Sequence, residues 1–206
     1  MNINKYIDYT LLKPTATLND IYNLCDTAVK NECASVCIPS CYVPFANELF
    51  PTLTICTVVG FPLGNSSTAT KIAEAKEAIK YGADEIDMVI NIGALKDGHY
   101  FQVKREIEEV KRAIGNRVLK VIIETCYLDE DDIAIVTRIV DNTRADFVKT
   151  STGFGTRGAS FEDIAIIKNN IHNGTKIKAS GGIRTKEDMM KYIALGCERI
   201  GASRLP

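Results

Sequence analysis

The 206 residues carry 25 basic and 26 acidic side chains, a formal charge of −1, and 46% hydrophobic residues. That balance gives no electrostatic footprint for nucleic acid or an anionic membrane surface, and the chain is too apolar to be disordered. No apolar run approaches the ~20 residues of a membrane span and the polar amino terminus is no signal peptide, so one cytoplasmic domain over 1–206 is expected.

Short apolar strands alternate with amphipathic helices along the whole chain. A segment at 6–10 reads as a first strand. Thr17 and Asp20 then open a helix that sets Ile21, Leu24, Cys25 and Ala28 on one face. Strands at 34–38 and 53–59 follow, and a helix runs from about Ser67 to Gly82. After a strand at 84–90, Val103, Ile107, Val110 and Ile114 form a helical stripe that stops at Gly115. A strand at 118–124 precedes the stripe of Ile133, Val136 and Val140. The strand at 146–150 leads to a helix opened by Ser160 and Asp163; the strand at 175–179 leads to one opened by Thr185 and Asp188; 197–201 is the last strand. The strands start about 20 to 33 residues apart, the length of a βα unit. Eight such units predict a (β/α)8 barrel, with a doubly wound open sheet as the alternative.

Three strands carry charge where a barrel wants apolar side chains. Alternate strand residues of a barrel face its interior. In Glu85–Ile90 the apolar even positions suit the helix layer, so Glu85, Asp87 and Val89 point inward. The same alternation turns Phe147 and Lys149 inward on the sixth strand, and Lys176 and Lys178 on the seventh. Lysine is rarely buried without a partner or a purpose. Any one of these residues alone reads as a strand end reaching solvent. Two lysines and an aspartate together, near the carboxyl ends of their strands, read as a catalytic device. A second ammonium and desolvation leave the first lysine a free amine, which attacks carbonyls, while the carboxylate moves protons.

Glycine-rich turns follow the later strands: Ser151-Thr152-Gly153, Ser180-Gly181-Gly182 and Gly201-Ala202-Ser203. Backbone amides in such turns hold phosphate, and barrels commonly place one after strands seven and eight. The run Gly153–Gly158 matches G-x-G-x-x-G, but no acid stands at the end of the next strand, where a dinucleotide ribose needs one. The seven cysteines lack a secretion signal and read as reduced thiols. Cys33, Cys37 and Cys41 are spaced like metal ligands but have no histidine nearby to complete a zinc set, so no metal is expected.

At these residues the chain resembles the deoxyribose-phosphate aldolase family, from residue 6 to residue 203. The segments IDYTLLKPTAT, SVCIP, VVGFPLG, YGADEIDMVIN, LKVIIET, ADFVKTSTGFG, KASGGIRT and RIGAS carry the resemblance in the family's order. It implies a metal-free lyase of deoxyribonucleotide catabolism that splits 2-deoxy-D-ribose 5-phosphate into acetaldehyde and glyceraldehyde 3-phosphate. Lys149 would form the Schiff base, Lys178 would perturb it and assist proton transfer, and Asp87 would relay protons. Asp8 and Thr10 would bind substrate hydroxyls at the mouth of the first strand, and Cys37 would line the pocket without catalysing or stand as a buried structural thiol. Gly153, Gly181, Gly182, Gly201 and Ser203 would hold the phosphate.

The chain departs from the family pattern twice. Arg204 stands where a second serine or small residue is common, and is expected to take over part of the phosphate contact. The family continues into a final helix, which is expected to be missing here because the sequence stops at Pro206. The outward apolar positions of the last strand would then face water unless the helices at 17–31 and 185–195 close over them or a second copy covers them; a homodimer is the preferred expectation. Two other functions compete. A metal-dependent aldolase is disfavoured because neither His99 nor His172 stands at a strand's carboxyl end. A catalytically silent barrel that binds phospho-sugars is the other, against which the retained Lys149, Lys178 and Asp87 argue.

Overall fold

The computed structural model describes residues 2–206, and its eight parallel strands close into one barrel in sequence order. The strands are β1 (Ile7–Thr10), β2 (Ser35–Ile38), β3 (Ile55–Val59), β4 (Glu85–Val89), β5 (Val118–Ile122), β6 (Phe147–Lys149), β7 (Lys176–Ser180) and β8 (Arg199–Ala202). β1 pairs with both β2 and β8, which closes the ring and removes every sheet edge. The open-sheet alternative is excluded.

Eight helices are described: α1 (Leu18–Lys30), α2 (Val43–Leu49), α3 (Thr68–Lys80), α4 (Ile92–Lys96), α5 (Tyr100–Ile114), α6 (Glu130–Asp141), α7 (Phe161–Asn169) and α8 (Lys186–Ala194). The starts read from sequence hold in atomic detail. Thr17 accepts the Asp20 N–H at 3.2 Å while the Asp20 carboxylate accepts the Thr17 N–H at 2.9 Å, and Ser160 and Asp163 repeat the arrangement on α7. A third such pair, Asp129 with Asp132, opens α6. α2 and α4 were not read from the sequence, because seven and five residues are too few to display a helical period.

The outward residues of the strands meet the helices. Val36, Ile38, Ile86, Met88, Leu119, Val121, Val148, Ile177, Ala179 and Ile200 all belong to the buried core. Each large side chain so buried contributes ~1.5–3 kcal/mol, and this layer holds the barrel together.

No water-facing strip is left on β8. Ile200 is fully buried, as is Ile7 on the neighbouring β1, and Ala202 is buried too. α8 packs on β8 and α1 on β1, with Ile3 and Leu205 joining the same core. The flanking helices close over the strand, so its cover requires no second copy. No helix among the described residues is long and apolar enough to cross a membrane.

Candidate active site

The interior of the barrel is a network of charge. Strand register sets Asp87 beside Lys120 and Lys149 beside Lys178. One Asp87 oxygen accepts hydrogen bonds from Lys149 Nζ and Lys178 Nζ, each at 2.8 Å. The other accepts from Lys120 Nζ at 2.9 Å. Lys178 also donates to Asp8 at 2.5 Å, and Lys120 to Glu85 at 2.6 Å. Arg199 closes the base of the network by pairing with Asp8 and, at 2.8 Å, with Glu85.

These contacts fix the charge states. Burial alone would raise the Asp87 pKa, but Lys120, Lys149 and Lys178 hold its carboxyl well below the usual range. Asp8 behaves likewise under Lys120, Lys178 and Arg199. Burial disfavours the Lys178 ammonium, yet Asp8 and Asp87 outweigh it and push its pKa above the ordinary lysine value. Lys120 is raised against burial by the same two carboxylates. Three carboxylates thus face four cationic side chains. Lys149 touches only Asp87, and Asp87 keeps Lys120 and Lys178 as partners.

Lys149 forms the floor of a pocket of about 370 Å3 at the carboxyl ends of the strands. Thr10, Gly153, Gly181, Gly182, Gly201 and Ser203 line it, and Lys13 and Arg184 add positive charge. Lys178 and Asp87 lie fully buried within the barrel, in contact with one another. The loops after β6 and β7 press backbone on backbone: a Cβ on Gly158 would sit 2.0 Å from the Gly181 carbonyl oxygen. That contact gives the glycines of the G-x-G-x-x-G run a packing role.

Four expected residues fall elsewhere. Asp8 is not at the mouth of β1; it is fully buried, and its carboxylate is engaged by Lys120, Lys178 and Arg199. Arg204 is exposed and lines an adjoining groove with Tyr9, Thr15 and Asp20, outside the pocket that holds Lys149. Lys176 stands exposed at the start of β7, pairing with Glu198 at 3.3 Å. Cys37, expected to line the pocket, is absent from its lining and fully buried beside Asp87, its thiol 4.0 Å from the carboxylate.

Sequence reading missed Lys120, Arg199 and Cys56. Lys120 had the same signal as Lys149, a lone lysine in an apolar strand, on the alternation that turns Val118 and Ile122 inward. Cys56 donates to Asp87 at 3.1 Å, and its thiol is pushed well up by burial and by the Cys37 thiol beside it. Cys37, Cys56 and Asp87 form the one metal-sized cluster among the described residues. Three ammonium groups surround Asp87 and oppose a divalent cation there. The Cys33–Cys37–Cys41 spacing does not converge on that cluster.

A (β/α)8 barrel with a buried lysine–carboxylate network and a pocket at the carboxyl ends of its strands has the layout of a barrel enzyme. The model of the DeoC/LacD family aldolases matches residues 3–203, and the chain belongs to that family. It is 52% identical over 205 residues to the deoxyribose-phosphate aldolase of Clostridioides difficile, covering 99% of this chain and 94% of the relative. It is 51% identical over 203 residues to that of Clostridium botulinum, covering 98% and 92%. A solved aldolase, QR15, superposes with a TM-score of 0.95 at 39% identity, over 98% of this chain and 91% of its own. The chain is an aldolase.

Proposed function

We propose that the chain reversibly cleaves 2-deoxy-D-ribose 5-phosphate to acetaldehyde and D-glyceraldehyde 3-phosphate through a Schiff base on Lys149, without a metal. The observation that carries this reading is that Lys149, among the interior lysines, is the one that lines the pocket, while Lys120 and Lys178 are fully buried. The relatives named above act on the same substrate class by name.

The Lys149 amine adds to the C1 aldehyde of the open-chain sugar, and loss of water gives a protonated imine. A base removes the proton of the C3 hydroxyl, and the C2–C3 electron pair flows into the imine. C3 leaves as the aldehyde of glyceraldehyde 3-phosphate, and an enamine remains on Lys149. The Lys178 ammonium, held by Asp8 and Asp87, is the proton source for enamine C2, with Asp87 and water carrying the transfer. Water then hydrolyses the new imine, releasing acetaldehyde and regenerating the amine. Phosphate sits against the Gly153, Gly181–Gly182 and Gly201–Ser203 turns, where loop amides and the cations Lys13 and Arg184 complement its charge.

Acetaldehyde release from 2-deoxyribose 5-phosphate, followed with and without excess chelator, tests the reading. Equal rates in both are expected. Release that stops with chelator contradicts the metal-free mechanism, and no release at all contradicts the substrate.

A further inference from the structure

Glu124 follows β5 directly and has no part in the steps above. Its φ is 54°, in the left-handed region that residues with side chains avoid. Its side chain is buried, and its carboxylate reaches a single residue. The Thr152 N–H donates to both oxygens at 3.2 and 3.3 Å, and the Thr152 hydroxyl donates to one of them. That hydroxyl in turn accepts the Phe154 N–H at 3.0 Å. The amides on either side of Gly153 are thereby occupied. The Gly153 N–H itself meets no protein acceptor among the described residues, and Gly153 lines the pocket.

The backbone around Glu124 explains its conformation. The Ile123 N–H donates to the Lys149 carbonyl and the Thr125 N–H to the Thr150 carbonyl, both at 3.0 Å. The left-handed turn between them lets the Glu124 side chain reach on to Thr152. The loop presses back on it, since a Cβ on Gly155 would lie 3.3 Å from Glu124 Cδ and 2.5 Å from Cys126 Sγ. The far end of the loop has a separate anchor: Arg157 pairs with Asp163 at 2.6 and 3.0 Å, and Asp163 accepts the Thr125 hydroxyl at 2.8 Å. A buried carboxylate and a left-handed backbone are both unfavourable, and both fall on one residue whose contacts serve one loop.

We propose that Glu124 is a positioning residue that fixes the 151–154 loop so that the Gly153 amide is free to bind the substrate's phosphate. The inference rests on the phosphate-sugar reading above. Direct contact is ruled out by like charge and by the absence of Glu124 from the pocket lining. The role predicts a loss confined to phosphate recognition.

The test is kcat and KM for 2-deoxyribose 5-phosphate and for unphosphorylated 2-deoxyribose in wild type and in E124A, E124Q and E124N. The ratio of the two kcat/KM values should fall about tenfold in E124A, through KM of the phosphorylated sugar. E124Q should recover most of it, because the amide oxygen still accepts the Thr152 N–H. E124N tolerates the left-handed backbone but is too short to reach Thr152, so it should behave as E124A although its backbone is relaxed. A ratio unchanged in folded E124A and E124N, or a loss shared equally by both sugars, overturns the proposal; if E124A does not fold, E124N decides it. A wild type that cleaves neither sugar overturns the functional reading together with this one, whereas cleavage with an unchanged ratio overturns only the role of Glu124.

Discussion

The two faces of the barrel strands differ more than any two regions of the sequence. Outward positions such as Val121, Val148 and Ile200 are apolar and packed against helices, while their inward neighbours Lys120, Lys149 and Arg199 belong to one ionic network. A single residue step along a strand crosses from one regime to the other. The outer layer stabilises through area removed from water. The inner layer replaces the branched apolar side chains usual in such barrels with charges that need one another. The difference teaches that this fold separates stability from chemistry by face, so substitutions on the two faces should fail in different ways.

The largest effect is expected on the inner face. Lys149→Met should reduce aldol cleavage to background in a folded protein, as measured by acetaldehyde release and circular dichroism. Asp87→Asn should lower kcat by ~10²–10⁴-fold, since it removes the partner of three ammonium groups and, in the proposed mechanism, the proton carrier. Lys120→Met comes next and is the sharpest probe of the network. It leaves Asp87 and Glu85 each short of a cation, so unfolding free energy should drop by ~3–5 kcal/mol and kcat should fall with it. Full stability and activity in this variant would mean that the inner charges act independently.

On the outer face the pattern should invert. Ile200→Ala should cost ~2–5 kcal/mol in denaturant unfolding and leave kcat/KM within about twofold below the melting transition. An outer-face variant that loses activity while folded would erase the distinction between the faces. The smallest effect is expected at Arg204, which is exposed and outside the pocket. Arg204→Ser should change KM for the phosphorylated sugar by less than about twofold, within the range of a surface substitution.

The pH dependence of stability follows from the same network. Asp8 and Asp87 have folded pKa values below their unfolded ones, so their stabilisation is present above the unfolded value of ~3.9 and is lost as pH falls below it. Lys120 and Lys178 are raised, so theirs is present below the unfolded value of ~10.4 and is lost as pH rises through the folded value. Denaturant midpoints should therefore be level from about pH 5 to 9, and should fall steeply below pH 4. A midpoint that rises on acidification would contradict the pairing.

Periodicity made much of this legible. The strand alternation gave the inward set Glu85, Asp87, Lys149 and Lys178, and the helix-opening pairs gave three helix starts to within a residue. Arg199 was missed because the segment read as its strand opens on Cys197-Glu198-Arg199, where three polar or ambiguous residues hide the alternation, whereas β8 itself starts at Arg199. Asp8 was placed at the pocket mouth because sequence cannot show how deep a strand's second residue lies. Glu124 carried no signal at all, since a left-handed φ at a glutamate is invisible until the chain is folded. The cover over β8 depends on how α8 and α1 lean, which no periodic pattern encodes.

The central claim is that the reacting amine is Lys149 alone. Incubation with acetaldehyde and borohydride, followed by peptide mass mapping, tests it directly. One ethyl group is expected, on the peptide that contains Lys149, and it should be absent from Lys149→Met. An ethyl group on Lys178 or Lys120, or labelling spread over surface lysines at equal occupancy, would contradict the assignment.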